Sequence, residues 1–398
     1  MSNPLINSNG TEWLYQCSNQ FEYCNGYEDY LNTFNDYKGC RDTFEKLTEE
    51  QKNTIVDEIF NIYRKVNIFP INYYSSYGIN KEIKRLYKTN VYYDGEKLNN
   101  RSNKGLNLCK FSHPIQFGII PTRWKLSMFD KFLNDDFFKR VIKLSIKAKN
   151  DVAPISILSS MTLFGRTPTN FKPMSAQALI ERYTPYNGTY FDFSQGLGGR
   201  LLGCLTSQKN IKYIGVDPWK ETNICNDKLG KWVESSLGTY NSYKLYCMGS
   251  EVPFTNENIA DFSFSSPPYM DLEIYCDDKT QCYNSFPTKD KWINNYMIPT
   301  IKNTYNILKP GAFYVVNIAD YTLNNKEHSY TDIWKNIAID IGFEYIKTAK
   351  MVILNRIGAG REVGSEGDTY KKSEPLFVFR KPLDMHNLAN NVRVEVDY

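Results

Sequence analysis

The stretch 189-TYFDFSQGLGGRLLGCLTS-207 decides how this chain is read. It opens with a short β-forming run. Gly196, Gly198 and Gly199 then fall within four positions, and an apolar helical run follows at once. A buried strand that breaks in glycines and enters a helix is a strand–corner–helix unit. Glycine lacks a Cβ, so such a corner turns sharply and brings backbone close to a ligand.

Downstream the same rhythm repeats. KYIGVDP (212–218) is a second strand and ends near Asp217, nineteen residues after Gly198. DFSFSSPPY (261–269), a helix around 290–308, LKPG, AFYVVNIAD (312–320), a helix around 331–341, YIKTAKMVIL (345–354) and PLFVFRK (375–381) follow. Upstream, SAQALIERY (175–183) reads as a helix. Short β-runs alternating with helices predict a doubly wound, parallel α/β sheet. MVILNR and EPLFVFRK predict an antiparallel hairpin that closes it.

The 398 residues leave room for a second, smaller unit before this one. Residues 1–150 read as a mainly helical domain, 151–385 as the α/β domain and 386–398 as a tail. Thr48-Glu49-Glu50-Gln51 has capping-box spacing, and apolar residues then recur at helical intervals until Phe69-Pro70. Residues 127–149 repeat the pattern through Phe129, Phe132, Val141 and Leu144. Charge divides unevenly here. Residues 1–80 hold eleven Asp/Glu against six Lys/Arg, whereas 81–149 hold sixteen Lys/Arg against six Asp/Glu. The second segment is either a solvated face or the footprint of a phosphate backbone.

Nine cysteines show no CxxC pair, and the three histidines lie far apart, so no metal-ligand spacing is present. The N-terminus has neither a basic start nor an apolar core, and no apolar run reaches the ~18 residues of a membrane span. Free thiols in a reducing cytoplasm, with no membrane and no metal, are the expectation.

In a doubly wound sheet, ligands sit beyond the carboxyl ends of the strands. A carboxylate at Asp217 suits the two hydroxyls of a ribose. The run from Gly196, G-L-G-G-R-L, does not meet the GxGxxG dinucleotide fingerprint. Asp192, opening the loop, suits a cationic sulfonium and amino acid better than a pyrophosphate. Ser266-Pro267-Pro268-Tyr269 ends a later strand. Methylating the exocyclic amine of a nucleobase calls for acceptors aimed at its N–H bonds, because its lone pair is delocalised into the ring. Ser266 Oγ and the Pro267 carbonyl offer two, Pro268 stiffens the turn, and Tyr269 offers a stacking face. Extruding a base costs a few kcal/mol, and stacking on an aromatic returns ~1–3 kcal/mol.

These residues together resemble the amino-group DNA methyltransferases, phage-type members included. That family modifies N4 of cytosine or N6 of adenine with S-adenosyl-L-methionine. Ser266–Tyr269 resembles its (D/N/S)-P-P-(Y/F/W) motif, and 194-SQGLG-198 resembles its F-x-G-x-G motif, with Ser194 in place of the phenylalanine. Asp217 resembles its ribose-binding acid, and 171-FKPMSAQALIERY-183 its Lys-Pro helix beside the methionine moiety. The resemblance covers roughly residues 168–380. It implies a Rossmann-like class I methyltransferase sheet. It also implies a cofactor site at Lys172, Pro173, Asp192, Ser194, Gly196, Gly198 and Asp217. Trp219 stands either to cover the adenine or to pack at the surface, and Ser250 or Glu251 takes the place of the family's third-strand acid. Serine at the first motif position leans toward cytosine N4.

The cofactor loop precedes the catalytic turn by about seventy residues, which leaves no room between them for a recognition domain. Recognition therefore falls to 81–149, to 270–290 or to 355–372, where Arg356, Arg361, Lys371 and Lys372 sit among glycines. RNA or a small molecule as substrate, a catalytically inactive DNA-binding module, and a nicotinamide enzyme are the competing readings.

Overall fold

The computed structural model describes residues 26–66, 68–99, 102–121, 126–165, 167–168, 170–238, 240–254, 257–270, 273–275, 278–323, 326–352 and 373–383. Its centre is an eight-stranded sheet. The strands are β1 (Lys97–Asn99), β3 (Thr189–Asp192), β4 (Lys212–Val216), β5 (Ser242–Tyr246), β6 (Ala260–Ser265), β8 (Leu308–Asn317), β11 (Glu344–Val352) and β12 (Ser373–Arg380). Two small ribbons lie outside it: β2 (Ile120–Pro121) with β7 (Glu273–Ile274), and β9 (Tyr321–Leu323) with β10 (Lys326–His328).

The order across the sheet is β1-β11-β12-β8-β6-β3-β4-β5. From β3 the chain adds β4 and β5 on one side, then crosses back to add β6 and β8 on the other, all parallel. β12 inserts antiparallel between β8 and β11. This is the doubly wound, Rossmann-like arrangement that the sequence rhythm predicts, closed by the predicted hairpin. The chain reverses its direction of growth between β3 and β6, which is where open α/β sheets leave a crevice.

Both faces are covered, which explains the near-continuous apolar strands. Successive residues of β3 divide between two cores. Tyr190 joins one cluster with Tyr213, Phe262 and Val315, and Phe191 joins the other with Ile214, Val316 and Trp334. Over the first face lie α6 (Pro173–Tyr183), α7 (Gly199–Leu205) and α8 (Lys220–Leu237). Over the second lie α9 (Ile298–Ile307) and α10 (Thr331–Ile341).

The segment before residue 150 contributes α1 (Glu49–Val66), α2 (Ser76–Tyr87), α3 (Leu106–Ser112) and α4 (Asp135–Lys149), and α5 (Pro154–Met161) follows. α1 opens on the expected capping box: the Thr48 N–H donates to Gln51 Oε1 at 3.0 Å and the Gln51 N–H to Thr48 Oγ1 at 3.2 Å. The helix read across 127–149 is two helices. Asn134 accepts from the Phe137 N–H at 2.8 Å and starts α4 afresh after a short helix, Met128–Leu133. The segment is also more than an appended helical unit. It lends β1 to the sheet edge beside β11, and its apolar side chains share one cluster with those of the sheet.

Part of the basic excess is consumed internally. Lys139 pairs with Asp57 at 2.8 Å and Lys143 with Glu49 at 2.7 Å, so acids of α1 neutralise cations of α4. Residues 355–372, with Arg356, Arg361, Lys371 and Lys372, and the tail 386–398 lie outside the described residues.

Candidate active site

Parallel strands put all their carboxyl ends on one sheet edge, so the corners after β3, β4 and β6 become neighbours. Gly196 and Gly198 take positive φ, +55° and +82°, and make the sharp turn into α7. Gly199 answers to a different demand. A Cβ there would lie 1.8 Å from the Phe171 carbonyl oxygen, and one on Gly203 would lie 2.5 Å from that of Pro173. Bare backbone on α7 thus seats the start of α6, where Pro173 fills the first helical turn and Lys172 precedes it. Lys172 and Pro173 come beside the glycine corner in this way. Burial lowers the Lys172 ammonium from its usual value.

Asp217, half-buried at the end of β4, receives the Gly196 N–H on one carboxylate oxygen at 3.1 Å and the Trp219 N–H on the other at 3.0 Å. Burial pushes its carboxyl up to about 6, against the opposing pull of these two backbone donors. A carboxylate has lone pairs beyond those two, so it retains capacity to accept from a diol. Trp219 is buried among Ile115, Ile119, Leu197 and Cys225, with Tyr275 against them at a ring separation of 6.3 Å from Trp219.

Two expected cofactor contacts are otherwise engaged. Asp192 is fully buried, and it accepts from Arg200 Nε at 2.8 Å, Tyr213 Oη at 2.9 Å and Ser265 Oγ at 2.8 Å. Arg200 also donates to the Ser194 carbonyl. Asp192 therefore braces the corner rather than facing a sulfonium. Ser250 is buried too. Its hydroxyl meets Thr300 Oγ1 at 2.9 Å and its carbonyl accepts from Asn303 at 2.8 Å, which ties the loop after β5 to α9 instead of opening toward a ligand. Ser194 is half-buried, with its hydroxyl on the Phe193 carbonyl at 2.7 Å.

The Ser265–Asp192 hydrogen bond joins the β6 corner to the β3 corner directly. Immediately beyond it, Ser266, Pro268 and Tyr269 are half-buried and Pro267 is buried. Tyr269 Oη accepts the Ala319 N–H at 3.0 Å, which ties the turn to the end of β8, and its ring meets Tyr321 edge-on at 5.5 Å. The structure thus brings the glycine loop, Asp217 and Ser266–Tyr269 together at the switch point.

Sequence reasoning missed Arg200, His113, Asn170 and Asn226. Asn170 donates to the Leu197 carbonyl at 3.1 Å and Asn226 to the Gly196 carbonyl at 2.9 Å. No periodicity marks these residues. The four-residue step from Gly199 to Gly203 is the one local signal of close helix packing here, since residues four apart share a helix face.

Among the described residues, no group of His, Cys, Asp and Glu is arranged to hold a metal ion, and no helix is long and apolar enough to cross a membrane.

No family model and no curated relative matches this sequence. Solved structures do. A SAM-dependent methyltransferase from Methanosarcina mazei is similar at 13% identity, covering 52% of this chain and 98% of its own, with a TM-score of 0.34. A methyltransferase from Pyrococcus furiosus is similar at 13% identity over 53% of this chain and 83% of its own, also at 0.34. A SAM-dependent methyltransferase from Thermotoga maritima, described as a possible histamine N-methyltransferase, is similar at 16% identity over 52% and 88%, at 0.32.

Proposed function

We propose that this protein transfers a methyl group from S-adenosyl-L-methionine to the exocyclic amine of a base extruded from DNA, N4 of cytosine by preference or N6 of adenine. The observation that carries the reading is the hydrogen bond between Ser265 and Asp192, which sets the Ser-Pro-Pro-Tyr turn against the glycine corner. The residues fit the cofactor. The would-be Cβ position of Gly196 meets nothing nearer than 3.7 Å, and Asp217 keeps acceptor capacity. Bound there, the cofactor would supply an electrophilic methyl group, with its thioether as the leaving group.

The chain's own residues do the rest. Asp217 accepts the ribose hydroxyls, and Gly196 and Gly198 let backbone lie against the cofactor. Lys172 and Pro173 border its amino-acid end, and Trp219 lies at the wall of the site. Ser266 Oγ and the Pro267 carbonyl accept the two amine N–H bonds. They draw the lone pair toward nitrogen, and the proton that the methylated amine sheds passes to solvent. Tyr269 stacks on the base. Holding the amine in line with the methyl supplies much of the remaining acceleration.

The ion pairs between α1 and α4 favour a second reading, a small-molecule methyltransferase, because they reduce the basic surface available to a polyanion. Mass spectrometry of nucleosides from cells expressing the protein separates the two. N4-methylcytosine or N6-methyladenine in DNA is expected. Unmodified DNA beside methylated RNA, or beside a methylated metabolite, overturns the DNA reading.

A further inference from the structure

His113 belongs to the segment before residue 150, yet it is fully buried directly beneath the glycine corner. A Cβ on Gly198 would lie 2.5 Å from His113 Cε1, so the imidazole is packed against the Gly198 backbone. Its two nitrogens are both engaged. Nδ1 is 2.8 Å from Ser112 Oγ, and Nε2 is 3.0 Å from Asn226 Oδ1. Asn226 Nδ2 donates in turn to the Gly196 carbonyl at 2.9 Å.

The roles in this chain follow from its last link. Asn226 faces a carbonyl with its amide nitrogen, because the reverse orientation would set oxygen against oxygen. Its oxygen therefore faces His113 and accepts, so the imidazole carries its proton on Nε2. Nδ1 is left to accept from the Ser112 hydroxyl at 2.8 Å, in preference to the Cys109 carbonyl at 3.1 Å, which already holds the His113 N–H. A neutral ring satisfies both of its nitrogens, in keeping with burial, which lowers its pKa to about 4.

Gly196 is thereby held from both sides. Its carbonyl takes the Asn226 amide, and its N–H holds Asp217. We infer that His113 is a positioning residue for the cofactor site: through Asn226 it fixes the orientation of the Gly196 peptide, and through that peptide the Asp217 carboxylate. The N-terminal segment then builds the cofactor site as well as any target contact. This inference rests on the cofactor reading above.

The test compares His113→Leu, His113→Gln and Asn226→Asp with the parent. Glutamine places an amide N–H near the position of Nε2, and aspartate can accept from His113 but cannot donate to Gly196. Calorimetric titration with S-adenosyl-L-methionine gives a dissociation constant raised about tenfold or more for His113→Leu and Asn226→Asp, since each loses a buried hydrogen bond. His113→Gln stays within about threefold, because it restores that donor. Hydrogen exchange on the cofactor-free proteins gives faster exchange of the 193–205 peptide in the first two variants. Folded variants with parental affinity and parental exchange in that peptide overturn the inference. If His113→Leu does not fold, Asn226→Asp reads the same link. If the parent itself takes up no cofactor, the cofactor reading fails and the exchange experiment alone judges the relay.

Discussion

The corner after β3 is held by side chains from distant parts of the chain, whereas the corner after β6 is stiffened by its own prolines and by the Ala319 amide on Tyr269. At the first, Arg200, Tyr213 and Ser265 converge on Asp192, and Asn170 and Asn226 hold the carbonyls of Leu197 and Gly196. At the second, Ser266, Pro268 and Tyr269 keep part of their surface open. The difference suits a cofactor that has the same shape in every turnover and a target that arrives in varied surroundings. Preorganisation is worth most where the ligand's shape is fixed, and openness where a larger group must be admitted.

The largest expected effect tests the braced corner. Arg200→Ala strands the buried Asp192 carboxylate without its cation, and removing one partner of a buried pair costs ~3–5 kcal/mol. Ser266→Ala, at the open corner, stays within ~1 kcal/mol, as most substitutions away from a buried network do. Chemical unfolding of both variants decides the matter, and equal losses would erase the contrast.

A smaller effect separates cofactor capture from stability. Asp217→Asn weakens S-adenosyl-L-methionine binding ~10–100-fold, the range expected when an ionised acceptor is lost. In the parent, the carboxyl pushed up to about 6 is ionised above that pH and protonated below it. Affinity therefore falls as pH drops from 7 to 5, and Asp217→Asn removes that dependence. A parent whose titration is flat across this window would assign the ribose to another residue.

The smallest effect sharpens the open corner. Tyr269→Ala leaves cofactor affinity unchanged and raises KM for the proposed DNA substrate by the ~1–3 kcal/mol of a lost stacking partner. Tyr269→Phe keeps the ring, loses the acceptor for the Ala319 N–H and falls between the two. Steady-state kinetics beside cofactor titration measures both, and a shift in cofactor affinity with Tyr269→Ala would place the ring at the wrong ligand.

What was legible in the sequence follows from local chemistry. Strand–glycine–helix units, the closing hairpin, the Thr48–Gln51 cap and the corner at Ser266–Tyr269 each show themselves within a few residues. The split at Asn134 was hidden because its apolar period runs on through the break. The partners of Asp192 and Ser250 were hidden for a related reason. An acid or hydroxyl at the end of a strand reads as ligand-facing until the partners that fill it, Arg200 and Thr300, are placed beside it.

By itself, then, the sequence determined the alternation of strands and helices, and with it the sheet, because periodicity and turn chemistry act between near neighbours. Only the tertiary structure decided that β6 returns beside β3, that acids of α1 quench lysines of α4, and that His113 lies under a loop more than eighty residues away. Such contacts depend on how buried polar groups find their partners. That pairing is a property of the folded whole, since each group is satisfied only by what the rest of the chain brings to it.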